Sequence, residues 1–268
     1  IGYLFPTLGF PLWLVSYQVL VNQFSWANTE LKTKQLLILW VSLPLTVGFT
    51  LLGGITQILP TWSMPGFWGL CLLLGYYSYY WQQKSPRFIK NWLLSSGLFI
   101  YTLFLVILLH INTGIFQKPN QLPFFNGLVA PENDPSTELI DVVQLRENLL
   151  ASPIFMNALG NSSFIFTNAY YLGGYISMAI APFSNLPVTC FSHDKRGFTF
   201  WTSEEKLIGK DGLYITLKRF ADLKPLNQEY QQYFDSLEEI AQIPLKRAGQ
   251  VTETFYIYQG KNLLKIYQ

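Results

Sequence analysis

From Leu36 to Leu59 the chain runs 24 residues without a charge, and from Phe67 to Trp81 another 15. Between them lies only Pro60-Thr61-Trp62-Ser63-Met64-Pro65-Gly66, a turn equally free of charge. Few folds accept that pattern. A helix of 24 residues rises about 36 Å, more than the roughly 30 Å of hydrocarbon in a bilayer. A soluble protein would place Lys, Asp or a Gly-Asn turn between two such helices. A Trp bracketed by two prolines suits the edge of a membrane, where indole rings sit at headgroup depth. The prolines also stiffen the backbone where it leaves one apolar segment and enters the next.

Two further stretches extend the pattern. Trp92 to Ile111 is long enough to span, and Met64 to Trp81 just reaches that length. Ile1 to Val21 is apolar but interrupted by Pro6 and Pro11, as in a kinked helix or a re-entrant segment followed by a helix from Pro11. Pro44 predicts a kink in the second segment, and Tyr76, Tyr77, Tyr79, Tyr80 and Trp81 gather at one end of the third like an interfacial belt. The expected architecture is an α-helical membrane bundle of about four transmembrane helices over residues 1–111. A connector over 112–133 and a small α/β domain over 134–268 follow.

Charge supports the division. Only 13% of residues are charged, against about 25% in soluble domains. Up to Ile111 the charged residues are Glu30, Lys32, Lys34, Lys84, Arg87 and Lys90; all others come later, at a normal soluble density. A net charge of +2 argues against nucleic acid as a partner. The lysines at 32 and 34 fall between segments one and two, and Lys84, Arg87 and Lys90 between three and four. Because basic loops stay in the cytoplasm, the Pro60–Gly66 turn and everything beyond Ile111 are expected outside. This makes an integral protein of a bacterial plasma membrane with an extracytoplasmic C-terminal domain. The two cysteines imply no disulfide framework. The start Ile-Gly-Tyr, with neither Met nor a basic leader, reads as the interior of a longer protein.

In the outward domain Asp134-Pro135 predicts an N-cap and a helix to Leu150. Phe164–Phe166, Pro187–Phe191, Phe198–Trp201, Leu213–Leu217 and Val251–Tyr258 read as strands, and Ala169–Ala181 as a helix. Leu226, Tyr230, Tyr233, Phe234, Leu237 and Ile240 repeat at helical spacing, predicting a helix over 226–241. Strands alternating with helices give a small α/β layer. The order is like a reduced nucleotide-binding topology, yet no Gly-x-Gly-x-x-Gly follows a strand, so no phosphate cradle is expected.

Several residues invite chemistry and do not carry it. Ser192-His193-Asp194 are adjacent, whereas a triad assembles from separate places. Cys190 and His193 are two ligands and do not make a zinc site. Asn161-Ser162-Ser163 is a sequon with meaning only in a eukaryotic secretory setting, and Gly173-Gly174 permits close packing. His110, near the outer end of the last apolar segment, is either a helix-end histidine or a substrate contact. Lys84, Arg87 and Lys90 either set topology or meet lipid headgroups or a lipid phosphate. Group transfer at the outer face usually needs a carboxylate base; the one acid in the membrane half, Glu30, is expected on the cytoplasmic side, so a base would come from the soluble domain or from residues upstream.

Leu43-Pro44 in a spanning helix, followed by Leu59-Pro60-Thr61-Trp62-Ser63-Met64-Pro65-Gly66-Phe67, resembles the Leu-Pro-His-Trp-Pro-Ala/Met-Pro-Gly-Tyr stretch of bacterial GT-C membrane glycosyltransferases. These are the family 39 type, similar to protein mannosyltransferases and aminoarabinose transferases. Phe164 to Leu172 resembles the family's strand leading into a Tyr-x-Leu-Ala helix, and Asn185-Leu186-Pro187-Val188 its Gly-x-Pro-Val turn. Phe200-Trp201 and Gly209-Lys210-Asp211-Gly212-Leu213-Tyr214-Ile215 resemble a Trp followed by Gly-Arg-Asp-Ala-Leu-Tyr-Val. The shared order covers about Leu36 to Phe220.

The resemblance implies the C-terminal half of an enzyme that moves a sugar from a polyprenyl-phosphate donor to an acceptor at the outer face, with inversion. The acceptor would be a lipid, a glycan or a protein. The catalytic acids of such enzymes, often an Asp-Glu pair in the first outer loop, match nothing in this chain and are expected upstream. The fragment alone is therefore expected to be inactive. No cofactor is expected in this chain beyond the lipid-linked sugar as substrate, and a divalent metal is left open. Thr61, Trp62 and Pro65 would line the outer cavity with His110 as a further substrate contact; Trp62 would stack on sugar or lipid or simply anchor the turn. Thr61 stands where the family often has His, and Ser63 where Pro is common. The competing expectations are a non-enzymatic, membrane-anchored binding or assembly module and a piece of a transporter. The latter lacks mid-membrane ionisable residues and repeated broken helices.

Overall fold

The computed structural model describes residues 9–22, 29–56, 59–118 and 127–267. The chain divides into two compact units, Ile1–Leu105 and Val106–Gln268. The segment before Gly9 with Pro6, Ile58 of the turn region and the middle of the connector lie outside the described residues.

The first unit is helical: α1 (Gly9–Asn22), α2 (Thr29–Leu52), α3 (Met64–Lys84) and α4 (Pro86–Thr113), whose last two turns belong to the second unit. Leu12, Val15 and Val19 of α1 pack with Leu39 of α2 and with Leu70, Leu73, Leu74 and Tyr77 of α3. Glycines bring α2 and α3 together: a Cβ at Gly66 would stand 2.6 Å from the Ser42 carbonyl oxygen, and one at Gly69 would overlap the Ser42 hydroxyl. Backbones approach this closely only where side chains are small.

Among the described residues, two helices are long and apolar enough to cross a membrane, Glu30–Leu52 and Pro86–Thr113. That is fewer than the four expected. The described part of the first segment, α1, has 14 residues and is too short to span. The third, α3, has 21 residues but spends its second half on Ser78, four tyrosines, Gln82, Gln83 and Lys84. Length suffices there and apolarity does not. Only 6% of the α4 window is buried, so its leucines and phenylalanines form an exposed apolar sheath.

The second unit carries a five-stranded mixed sheet in the order β2-β1-β3-β5-β4. The strands are β1 (Phe164–Thr167), β2 (Val188–Cys190), β3 (Gly212–Leu217), β4 (Phe234–Arg247) and β5 (Gln250–Leu263). β2 and β3 flank β1 in parallel, while β5 runs antiparallel to β3 and forms a hairpin with β4. Alternation along the strands sends Ile165, Leu213, Ile215 and Ile257 to one face. There they pack against helices α5 (Val142–Leu150), α6 (Pro153–Gly160) and α7 (Tyr170–Ile180). Phe164, Phe166 and Tyr214 go to the other face and build an aromatic core with Phe191, Tyr230 and Phe234.

Three expectations need correction. The predicted helix over 226–241 is a short helix, Lys224–Gln231, followed by β4. A bulge between Glu239 and Ala241 shifts the register midway, so the period of two is masked in the sequence. Phe198–Trp201 is a helical turn, α8, and not a strand. Its first residue is held where the Phe198 ring covers Gly173, at which a Cβ would stand 2.5 Å from that ring. The helix from Pro135 is two elements. Asp134 caps a short 3-10 turn over Pro135–Glu138, and Asp141 then accepts from the amides of Val143 and Gln144 to open α5. The helix α6, capped by Ser152, was not foreseen. The remaining predicted elements, β1, β2, β3, α7 and β5, are present, β5 running five residues beyond Tyr258.

Candidate functional site

The last pair between β3 and β5 is Leu217–Phe255. Residues 250–254 of β5 and 244–247 of β4 therefore extend beyond the carboxyl end of β3. The short helix α9 (Lys218–Ala221) starts directly after β3. Between these parts and the 131–138 segment lies a cleft of about 750 Å³. It sits off the carboxyl ends of parallel strands, where open α/β sheets commonly bind ligands.

The cleft is polar and mixed in charge. Glu138, Lys218, Arg219, Asp222 and Glu253 line it, with Thr137, Thr252 and Thr254 between them. Arg219 is fixed on two sides: Nη1 donates to Glu138 Oε1 at 2.9 Å and Nη2 to the Tyr171 hydroxyl at 3.0 Å. Burial pushes the Glu253 carboxyl above the usual range; Arg219 pulls it back and the charge of Glu138 adds to the rise. A carboxyl whose charge burial disfavours, beside a clamped guanidinium and three threonine hydroxyls, sets donors and acceptors side by side. That arrangement suits a hydroxyl-bearing polar ligand.

One wall of the cleft is a buried clasp. Asp134 Oδ2 accepts from Arg247 Nη2 at 2.6 Å and from His110 Nε2 at 2.9 Å, while Oδ1 accepts from the amide and hydroxyl of Ser136. The Phe116 amide donates to His110 Nδ1 at 3.1 Å, so the proton on this ring resides on Nε2. Arg247 also binds Gln117 Oε1, and the Gln117 amide returns a bond to the Arg247 carbonyl. Burial works against the Asp134 charge, but the Ser136 and His110 hydrogen bonds hold its carboxyl below the usual range, with Arg247 acting in the same direction. Both ring nitrogens of His110 are engaged. The geometry gives it the work of tying the end of α4 to the β4–β5 hairpin.

The other sequence candidates lie in the first unit. Thr61 and Trp62 occupy a 3-10 turn, Pro60–Ser63, and Pro65 sits in the first turn of α3. Trp62 is half exposed and meets Phe49 edge-on at 5.8 Å. Lys84 stands at the opposite end of α3, its ammonium 4.9 Å from the Tyr80 ring centre. It lines a cavity of about 420 Å³ with Gln18, Trp81, Phe88 and Trp92, and Gln18 Oε1 is buried there without a hydrogen bond. Arg87 and Lys90 are exposed in the first turns of α4. Thr61, Trp62 and Pro65 thus form one group and Lys84, Arg87 and Lys90 another, at opposite ends of α3.

Ser192, His193 and Asp194 do not converge: Asp194 pairs with Arg196 at 2.8 Å, and the His193 ring lies against Tyr267. Cys190 is buried and free, its thiol pushed up to about 11 by burial. Among the described residues no three His, Cys, Asp or Glu side chains are grouped to hold a metal ion. Sequence reasoning missed the cleft. The available signal was Lys218-Arg219 directly after the predicted strand Leu213–Leu217, the position where a ligand-facing charge falls in a parallel sheet.

Fold and site together define a class: a protein with, among the described residues, two membrane-length apolar helices and a mixed α/β domain bearing a polar cleft. Set against protein-family models, curated proteins and solved structures, the chain finds no match in any of the three comparisons.

Proposed function

We propose that this chain is the C-terminal membrane and extracytoplasmic part of a GT-C glycosyltransferase. Such an enzyme moves a sugar from a polyprenyl phosphate to an acceptor at the outer face of a bacterial plasma membrane. The observation that carries the reading is the order of parts. A charge-free Pro-Trp-Pro turn closes the gap between α2 and α3, the apolar α4 follows, and it leads into an α/β domain with a ligand-sized cleft. The motif order from Leu59 through Ile215 resembles that family. Trp62 and its neighbours face the donor, and the cleft faces the acceptor. In this reading the catalytic carboxylates are those of the family's first outer loop, to which no residue of this chain is matched, and Glu30 is the one acid of the first unit.

The test is transfer from a polyprenyl-phosphate-linked sugar, assayed with purified residues 1–268 and with the whole product of the reading frame that contains them. The fragment is expected to transfer nothing. The whole protein transfers sugar, and Trp62→Ala in it lowers the rate. Robust transfer by residues 1–268 alone overturns the reading. So does an upstream frame that adds neither further apolar segments nor an acidic pair after the first of them; the chain is then a membrane-anchored binding module.

A further inference from the structure

The carboxyl ends of β1, β2 and β3 point the same way, since the three strands are parallel. The tip of the β4–β5 hairpin extends beyond that same end, and its Arg247 is clasped through Asp134 to His110, near the end of α4. The turns of α4 that belong to this unit, Val106–Thr113, therefore join the domain at the carboxyl end of its sheet.

That end is unusually apolar for an exposed surface. Phe200 is 87% exposed and Trp201 73%, adjacent residues on the four-residue helix α8. The helix is not loose: Phe198 is buried over Gly173, and its ring meets Trp201 edge-on at 5.1 Å. One side chain anchors the turn while the next ones are held out. Arg196 lies 4.9 Å from the Tyr170 ring centre beside them. Leu128 is 71% exposed, and its amide donates to the Phe116 carbonyl just past α4. Val251, also exposed, lines the cleft, and the exposed Leu139 and Leu223 directly follow its lining residues Glu138 and Asp222 in the chain. In water such a rim has no counterpart in burial; at a headgroup boundary, aromatic and aliphatic side chains next to a cation are at home.

We propose that the carboxyl end of the sheet is a membrane-docking face, with Phe200 and Trp201 inserted at the headgroup–acyl boundary of the bilayer that α4 crosses. The proposal rests on the membrane part of the reading above and is independent of the transferase chemistry. β2 and β5 are three strand spacings apart, about 14 Å at 4.8 Å each. The aromatic pair and the Arg247 clasp thus lie at separate places on this end of the domain, and insertion of the pair adds a second foothold. The cleft then opens at the membrane surface, where an acceptor carried on a lipid arrives.

Trp201 is the only Trp after Trp92, so its emission is isolated by subtracting the spectrum of Trp201→Phe. The measurement uses the full chain in lipid nanodiscs, with phospholipids brominated either near the headgroup or deep in the acyl chain. A second difference, Leu98→Trp minus wild type, reports lipid around α4. The expected result is blue-shifted Trp201 emission lost in shallow-brominated lipid, with Leu98→Trp emission lost in deep-brominated lipid. Water-like Trp201 emission, quenched by aqueous acrylamide and not by either lipid, overturns the docking face. Blue-shifted emission untouched by brominated lipid overturns it too, and shows that protein covers the pair. If Leu98→Trp is also unquenched, the membrane reading falls with it; if Leu98→Trp is quenched, the docking face alone is wrong.

Discussion

Asp134 accepts four hydrogen bonds from Arg247, His110 and Ser136 while 6% exposed. Removing one partner of a buried ion pair leaves the other charge unpaired, which costs about 3 kcal/mol or more. Asp134→Asn is expected to lower the stability of the α/β domain by about that amount, read by thermal unfolding of the full chain in nanodiscs. The pH dependence has a definite sign. Because the folded carboxyl is held below its usual value, its contribution is complete above the unfolded Asp value of about 3.9 and is lost as pH falls through the folded one. Wild type therefore loses stability below about pH 4 by a term that Asp134→Asn lacks. Two glycines act at the same scale. Gly212 and Gly260 stand opposite each other in the sheet, with the Phe164 ring over one and the Phe234 ring over the other. A Cβ at Gly212 would stand 2.4 Å from Phe164, so the absence of side chains is what seats the two rings.

At the level of elements, the β4–β5 hairpin decides the most. Its 14-residue strands continue past β3 and supply both Arg247 of the clasp and Glu253 of the cleft. The turn is Ala248-Gly249, with φ of 51° and 78°, and two left-handed residues give the turn twist that a tight hairpin prefers. Glycine takes that conformation freely and alanine does not. Ala248→Gly is expected to stabilise the hairpin by about 0.5 to 1 kcal/mol, seen as a higher melting temperature and slower amide exchange along β4. The short helix α8 has the opposite character. It buries one aromatic residue and exposes two, a poor use of a helical turn unless something apolar meets it.

For the whole molecule, the two units differ in what water can do for them. The second hides two apolar cores on the faces of one sheet, as a soluble domain does. The first leaves most of α4 uncovered, and a 28-residue helix with that surface requires lipid or protein around it. The full chain is accordingly expected to pellet with membranes and to stay there through an alkaline carbonate wash. Release by that wash would remove the spanning assignment of α2 and α4.

What the sequence determined by itself was whatever depends on neighbours along the chain. The apolar runs gave α2 and α4, the change in charge density after Ile111 gave the two-part organisation, and the short apolar blocks gave β1, β2 and β3. Caps at Asp134, Asp141 and Ser152 act within three residues, and the first was legible. Tertiary structure decided the rest. Phe234 to Ile240 fits a helix locally, and pairing with β5 across a bulge makes it a strand. Arg219 and Glu138 are 81 positions apart, and Asp134 and Arg247 are 113 apart. Spacing in a single sequence carries no signal over such intervals, so the cleft and the clasp exist only once the sheet has brought its carboxyl ends together.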